Sequence, residues 1–299
     1  IVAVNNISFH IKKCETLGLV GESGSGKTTV GRCVLRLIEP DSGKIIFSNI
    51  DISTIPDKDL RSLRQKATIV FQDSNESLNP VHTVFQIIEE PLIIKRIDNK
   101  DRRREIVLSI IKSVQLEERH LYKVPRELTT SEQQRVGIAR AIVTQPELIV
   151  VDEATSNLDP KSRADLLSLF NELQEKYSVS YLFISHDMTA VRKISHRIAI
   201  MYLGKIVELA PTAKIFARQY HPYTRGLLSS VLYPDPSEKL KPFILKGEIP
   251  TAINPPDRCP LIGRCPFVKE KCFLTFPSFE EIEEDHFVAC YRSRELFND

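Results

Sequence analysis

With 299 residues, 42% of them hydrophobic and 27% charged, the chain has the make-up of an ordinary globular protein, which excludes a disordered one and leaves room for one large α/β domain with a small appendage. A net charge of +2, with no basic block interleaved with aromatics, gives no argument for a nucleic-acid partner. No apolar run approaches the roughly 18 to 20 residues of a spanning helix and no signal-peptide pattern precedes the first predicted strand, so the chain is expected neither to span a membrane nor to be secreted.

Val2 to Ile11 alternates loosely and predicts a strand, Thr16 to Val20 a buried strand, and Lys27 to Ile38 the helix after a glycine loop. Lys44 to Phe47 and Ala67 to Phe71 predict further strands. Helical periods follow over Val84 to Ile94, Arg103 to Val114 and Ser131 to Val143. The strand pattern returns at Leu148 to Val151, then a helix over Lys161 to Lys176, a strand over Val179 to Ile184, a helix over Thr189 to Ile194, and short strands at Arg197 to Met201 and Lys205 to Glu208. From Tyr233 the prolines thicken (Pro234, Pro236, Pro242, Pro250, Pro255, Pro256), leaving little room for regular elements and predicting a boundary near residue 235.

Gly21, Glu22, Ser23, Gly24, Ser25, Gly26, Lys27 and Thr28, followed by Thr29, fit GxxxxGK[ST] between the strand and helix that this motif requires. Consecutive backbone N–H groups there can curl around phosphates, Lys27 adds a charge, and the Thr28 hydroxyl is a ligand for Mg²⁺. Asp152 and Glu153 emerge at the end of the continuous apolar run Leu148 to Val151, the sheet edge where open α/β folds place ligands. There Asp152 is expected to hold Mg²⁺ through water and Glu153 to orient and deprotonate an attacking water. Gln72 ends the strand before the helical stretch, with an amide for Mg²⁺ or that water. His186 follows the strand ending at Ile184, where it can sense or stabilise a γ-phosphate. The six other histidines, His10 and His120 among them, take a structural reading, and the lone Cys14 and Cys33 are read as small buried apolar residues.

In this order, GESGSGKTT, Gln72, the stretch Glu127 to Asp159 and His186 resemble the ATP-binding cassette (ABC) ATPases over residues 2 to about 232. The resemblance implies an α/β P-loop NTPase cassette, with a RecA-like core, an antiparallel β edge and a helical subdomain over about 73–145. The cassette would occupy 1–235 and a small, Cys-rich, loop-rich extension 236–299. It implies ATP and Mg²⁺ as ligands, Ser156, Asn157, Leu158 and Asp159 as the D-loop, and pairing of two cassettes so that each one's signature covers the other's ATP. That signature, usually LSGGQ, stands here as Leu128, Thr129, Thr130, Ser131, Glu132. Thr129 keeps a hydroxyl, but Thr130 and Ser131 bring Cβ atoms where the family has glycines. Thr129 with Glu132 still forms the [ST]xx[EQ] start of a capped helix. The expectation is an intact site on this chain, poor service to a partner's site, and a partner cassette that is a different chain.

Ser77 to Pro80 (SLNP), Glu89 to Leu92 (EEPL), His221 to Leu228 (HPYTRGLL) and Leu245 to Pro256 resemble the ATP-binding subunits of oligopeptide and dipeptide permeases. That branch implies two membrane permease subunits, an extracytoplasmic substrate-binding protein, and a peripheral position at the cytoplasmic face of the membrane. Alternatives are a regulatory cassette with little turnover, or a cassette of a related sugar or metal-chelate importer. Cys259, Cys265, Cys272 and Cys290 crowd the tail; if the thiols are kept reduced, they read as metal ligands rather than disulfides. Their irregular spacing suits a [4Fe–4S] cluster, which the branch resemblance also implies, with Zn as the alternative and buried thiols without metal as a third reading.

Overall fold

The computed structural model describes residues 1–72, 77–230, 243–248 and 250–296, so the expected boundary near 235 and the expected start of a helical subdomain at 73 lie outside the described residues. In chain order come β1 (Thr16–Val20), α1 (Lys27–Val34), β2 (Ile46–Phe47), β3 (Ile50–Asp51), α2 (Asp57–Arg64) and β4 (Ala67–Val70). Next are α3 (Val84–Ile94), α4 (Lys100–Ser113), α5 (Thr130–Ile142), β5 (Leu148–Asp152), α6 (Pro160–Tyr177), β6 (Ser180–Ser185) and α7 (Met188–Ile194). The last are β7 (Arg197–Tyr202), β8 (Lys205–Pro211), α8 (Thr212–Ala217), α9 (Pro222–Ser229), β9 (Glu280–Glu283), β10 (His286–Val288) and α10 (Ser293–Leu296). Packing divides them into two units interleaved in sequence, one of Ile1–His10, Leu17–Val30 and Ser185–Asp299, the other of Ile11–Thr16 and Gly31–Ile184.

In the first unit β1 runs parallel to β7, with Leu17 opposite Arg197, and the order continues antiparallel through β8, β10 and β9. The antiparallel edge is thus completed by a hairpin from the proline-rich tail, where the sequence predicted little regular structure. A buried polar knot holds it: Glu208 of β8 accepts the N–H groups of Tyr220 (2.9 Å) and His221 (3.1 Å), and its carboxylate meets His286 Nε2 at 2.7 Å with both side chains fully buried. Such a pairing satisfies groups that would otherwise carry a heavy desolvation cost. Burial alone holds His221 neutral, its pKa lowered to about 3, and its Nδ1 accepts the Tyr223 N–H. The predicted strand over Val2 to Ile11 does not form. Asn6 is left-handed (φ 50°), and the segment makes isolated bonds, Val2 N–H to Ala252 and Asn5 N–H to Gly204, instead of a ladder.

In the second unit β4, β5 and β6 are parallel, with Val70 opposite Val151 and Asp152 opposite Ile184. β5 is buried along its whole length, which is why its sequence is a continuous apolar run without alternation. The helix predicted over Lys27 to Ile38 stops at Val34, two residues before Arg36 turns left-handed (φ 52°). Ile46–Phe47 pairs back onto Ile50–Asp51 through left-handed Ser48 and Asn49, a two-residue hairpin the pattern did not predict. α3 packs against α4 and α5. Thr83 caps α3 in a box with Gln86, and Asn99 caps α4, which begins at Lys100, three positions before the predicted start at Arg103. Arg103 joins the two helices, binding Glu89 at 2.8 Å and the carbonyls of Ile97 and Asp98. Beneath it Val84, Ile88, Val107, Ile111 and Val136 are fully buried, each contributing roughly 1.5–3 kcal/mol.

Candidate nucleotide site

Between β1 and α1 the loop from Gly21 to Lys27 folds tightly on itself. A Cβ on Gly21 would stand 2.1 Å from the Met201 carbonyl oxygen, so the strand can turn into the loop only without a side chain. Gly26 has φ +101°, and a Cβ there would meet the Ala3 carbonyl oxygen at 2.1 Å. Lys27, 4% exposed, donates from Nζ to the carbonyls of Gly21 (2.8 Å) and Glu22 (3.0 Å), which arches its ammonium back over the loop. Ser23 and Gly24 are exposed, Ser25 is buried, and Thr28 and Thr29 are half-buried on the first turn of α1. In the same unit His186 is exposed immediately after β6, and Asp187 beside it caps α7 by accepting the N–H groups of Thr189 and Ala190.

Two residues for which the sequence indicated no role at this loop hold it from outside, Arg264, and Tyr223 of the HPYTRGLL stretch. Arg264 grips the Glu22 carboxylate with both Nη atoms, at 2.8 and 3.1 Å, and the Glu22 N–H donates to Tyr223 Oη at 2.9 Å. The carboxylate raises the guanidinium pKa further, so Arg264 is charged at any working pH. Glu22 precedes Arg264 by 242 positions, a separation across which no local signal operates.

The acidic residues lie in the second unit. Asp152 is buried as the last residue of β5. Glu153, half-buried, is left-handed at φ 47°, a conformation that costs a non-glycine residue about 1–3 kcal/mol and concentrates at functional sites. Its N–H donates to Ile184 O at 3.0 Å and its carbonyl accepts Ser156 Oγ at 2.9 Å, so the strained backbone is anchored on both sides. Of the expected D-loop, Ser156 is half-buried, Asn157 exposed and Leu158 buried. Asp159 caps α6, and its bonds from Ser162 lower its pKa. Gln72 is exposed after β4, and its carbonyl accepts Gln134 Nε2 at 3.2 Å, which ties it to α5. Thr28, Gln72 and Asp152, the residues expected from sequence to meet Mg²⁺, carry oxygen donors of the hard kind that ion prefers; Thr28 belongs to the first unit, Gln72 and Asp152 to the second.

The altered signature does start a well-formed helix. Thr129 Oγ1 accepts the Glu132 N–H at 3.3 Å, and Glu132 Oε2 accepts the Thr129 N–H at 2.8 Å, the reciprocal box the spacing predicted. That Thr129 N–H is the first cause holding the Glu132 pKa below its usual value, with His120 on its other oxygen at 3.1 Å. Thr129 and Thr130 are exposed and Ser131 half-buried, so the side chains that replace glycine stand at the surface.

Cys259, Cys265, Cys272 and Cys290 line one cavity in the first unit. Three of the thiols each accept the N–H two residues on: Cys259 from Leu261, Cys265 from Phe267 at 3.4 Å, and Cys290 from Arg292 at 3.5 Å. Burial pushes Cys259 up to about 11 and Cys290 up to about 12, so these thiols are protonated at neutral pH. Among the described residues no group of three or more His, Cys, Asp or Glu side chains is disposed to hold a metal ion, so the expected iron–sulfur or zinc centre is not supported: the thiols are gathered without standing at ligand geometry. Cys14, read from sequence as buried, is exposed. It is left-handed at φ 57°, a backbone conformation that favours glycine.

The family model for ABC transporters matches residues 4–156, and the model for the oligopeptide/dipeptide transporter C-terminal region matches residues 207–272. The oligopeptide transport ATP-binding protein AppF of Bacillus subtilis (strain 168) is 44% identical over 292 residues, covering 97% of this chain and 89% of that protein. The fold is similar to the dimeric, ADP- and Pi-bound ATP-binding cassette MJ0796, with TM-score 0.65 and 31% identity over 70% of this chain and 90% of that one. It is also similar to cbiO1 of Clostridium perfringens, part of the ABC transporter complex cbiONQ, with TM-score 0.67 and 26% identity over 72% and 84% of the two chains. An identity of 44% over nearly the whole length goes beyond a likeness of fold, and the chain belongs to the ABC transporter family.

Proposed function

We propose that this chain is the ATP-hydrolysing subunit of a membrane importer of oligopeptides or dipeptides. The observation that carries it is that a cassette matching ABC transporters over 4–156 continues into a region matching oligopeptide/dipeptide transporters over 207–272. The loop Gly21 to Thr29 takes the ATP phosphates, with Lys27 swinging from the carbonyls of Gly21 and Glu22 onto them. The Mg²⁺ that accompanies ATP would be held by Thr28, Gln72 and Asp152 and would offset the charge of the phosphates. Glu153 accepts a proton from the water whose oxygen attacks the γ-phosphorus, the bond to the ADP oxygen breaks, and His186 steadies the charge on the released phosphate.

No helix of the described residues is long and apolar enough to cross a membrane. The transmembrane path is therefore assigned to two permease subunits, with this chain peripheral at their cytoplasmic face and a substrate-binding protein delivering cargo from outside. The second cassette is a different chain with an intact signature. The capped start of α5 supports a surviving helix dipole, and the exposed Thr130 side chain supports a weakened approach to the partner's phosphate. ATP turnover by the assembled transporter is expected to rise when peptide-loaded binding protein is added, and an unresponsive rate in a complex that does hydrolyse ATP sinks the peptide assignment. In the same assay Thr130→Gly combined with Ser131→Gly is expected to raise turnover about two- to tenfold by restoring the second site; unchanged turnover sinks the asymmetry.

A cluster in the cysteine-lined cavity, with zinc as its alternative, is proposed only on the gathering of four thiols there, and holding it would require those thiols to ionise and turn into ligand positions they do not occupy in this structure. Anaerobically purified protein is expected to absorb in the iron–sulfur charge-transfer region. One zinc per chain and no such absorbance overturns the cluster.

A further inference from the structure

All the polar groups of Glu22's backbone and side chain are engaged. Its carboxylate takes both Nη atoms of Arg264, its N–H meets Tyr223 Oη, and its carbonyl accepts Lys27 Nζ at 3.0 Å and the Ser25 N–H at 3.2 Å. Tyr223 is fully buried, its ring is 4.5 Å from that of Tyr202, and the Arg264 guanidinium lies over the Tyr202 ring at 5.8 Å. A two-pronged arginine held over an aromatic face fixes orientation as well as charge. The pair is partly withdrawn from water, the Arg264 and Glu22 side chains being 10% and 27% exposed, which weakens screening. Tyr223 and Arg264 both fall in the stretch 207–272, outside the segment 4–156 that carries the loop itself.

We propose that Arg264 and Tyr223 are positioning residues for ATP, holding Glu22 by its carboxylate and its N–H so that the phosphate loop is ordered before nucleotide arrives. This rests on the ATP-site reading above. A glycine-rich loop loses much conformational freedom when it closes on a ligand, and fixing it beforehand removes that cost from binding. The gain is made equally in the ground state and the transition state, so it falls on affinity and KM rather than on kcat.

The test measures ATP affinity of the full chain with a fluorescent ATP analogue, and KM and kcat in the assembled transporter. Arg264→Ala is expected to raise Kd and KM about tenfold with kcat within about twofold, and Arg264→Lys, which keeps the charge but loses the fork, to fall between. Glu22→Gln is expected to match Arg264→Ala, and the double variant to be no worse than the worse single one, since both cut the same bond. Tyr223→Phe removes one hydroxyl and leaves the ring packed; it is expected to raise Kd about threefold and carries the test where Arg264→Ala fails to fold. Wild-type chain that binds ATP while the folded variants bind it equally, or effects of Arg264→Ala and Glu22→Gln that simply add, overturn the clamp alone. Wild-type chain without ATP affinity overturns the ATP site itself, and the clamp with it.

Discussion

Replacing Glu153 by Gln is expected to cut ATP turnover of the assembled transporter roughly 10²- to 10⁴-fold, the span typical for loss of a positioned general base. Gln has the same shape, so the anchoring of residue 153 persists: the N–H to Ile184 O at 3.0 Å and the Ser156 hydroxyl on its carbonyl at 2.9 Å are backbone bonds. The left-handed backbone at φ 47° costs Gln about what it costs Glu, so the folded state loses little. What disappears is the proton acceptor. ATP affinity is therefore expected to stay within about threefold of wild type while hydrolysis collapses, a split that separates chemistry from binding. Steady-state phosphate release and nucleotide titration check it together. An undiminished rate removes Glu153 from the chemistry and favours a cassette that binds ATP without turning it over.

The parts of this site that local physics dictates were legible in the sequence. The continuous apolar run of β5 needs only burial on both faces, and the Thr129–Glu132 box needs only residues three apart, so each was readable within a handful of positions. Val2 to Ile11 carried an alternation of the right period, but a ladder also needs a partner strand, and left-handed Asn6 interrupts the run. The hairpin of β9 and β10 was hidden by the prolines before it and by its dependence on β8, more than 70 positions upstream, where His286 meets Glu208. The grip of Arg264 on Glu22 was hidden by distance alone, since nothing local to either residue names the other. The four cysteines show the converse case. Their clustering in sequence does translate into one shared cavity, yet side-chain geometry, which spacing does not encode, leaves them short of ligand positions.

Gly26→Ala is expected to abolish measurable ATP binding, a loss beyond about 100-fold, whereas Gly24→Ala retains the fold at a modest cost. Both glycines have positive φ, +101° and +80°, so each alanine pays for a left-handed backbone, about 1–2 kcal/mol. Space separates them. At Gly24 nothing lies within 4 Å of an added Cβ, while at Gly26 the Ala3 carbonyl oxygen would stand at 2.1 Å and Met201 Cε at 2.9 Å. A methionine tip can swing aside, but a backbone oxygen moves only with its chain, and the nearby Asn5 N–H is tied to Gly204, whose own N–H is tied to Ser25 of the same loop. The clash at residue 26 is therefore passed into the loop itself and to Lys27 beside it. Thermal unfolding is expected to place Gly24→Ala a few degrees below wild type and Gly26→Ala well below that, with nucleotide titration reading the loss of affinity. An alanine at 26 that leaves both values near wild type means that the loop can close without the contact between Gly26 and Ala3, and the steric reason for a glycine there fails.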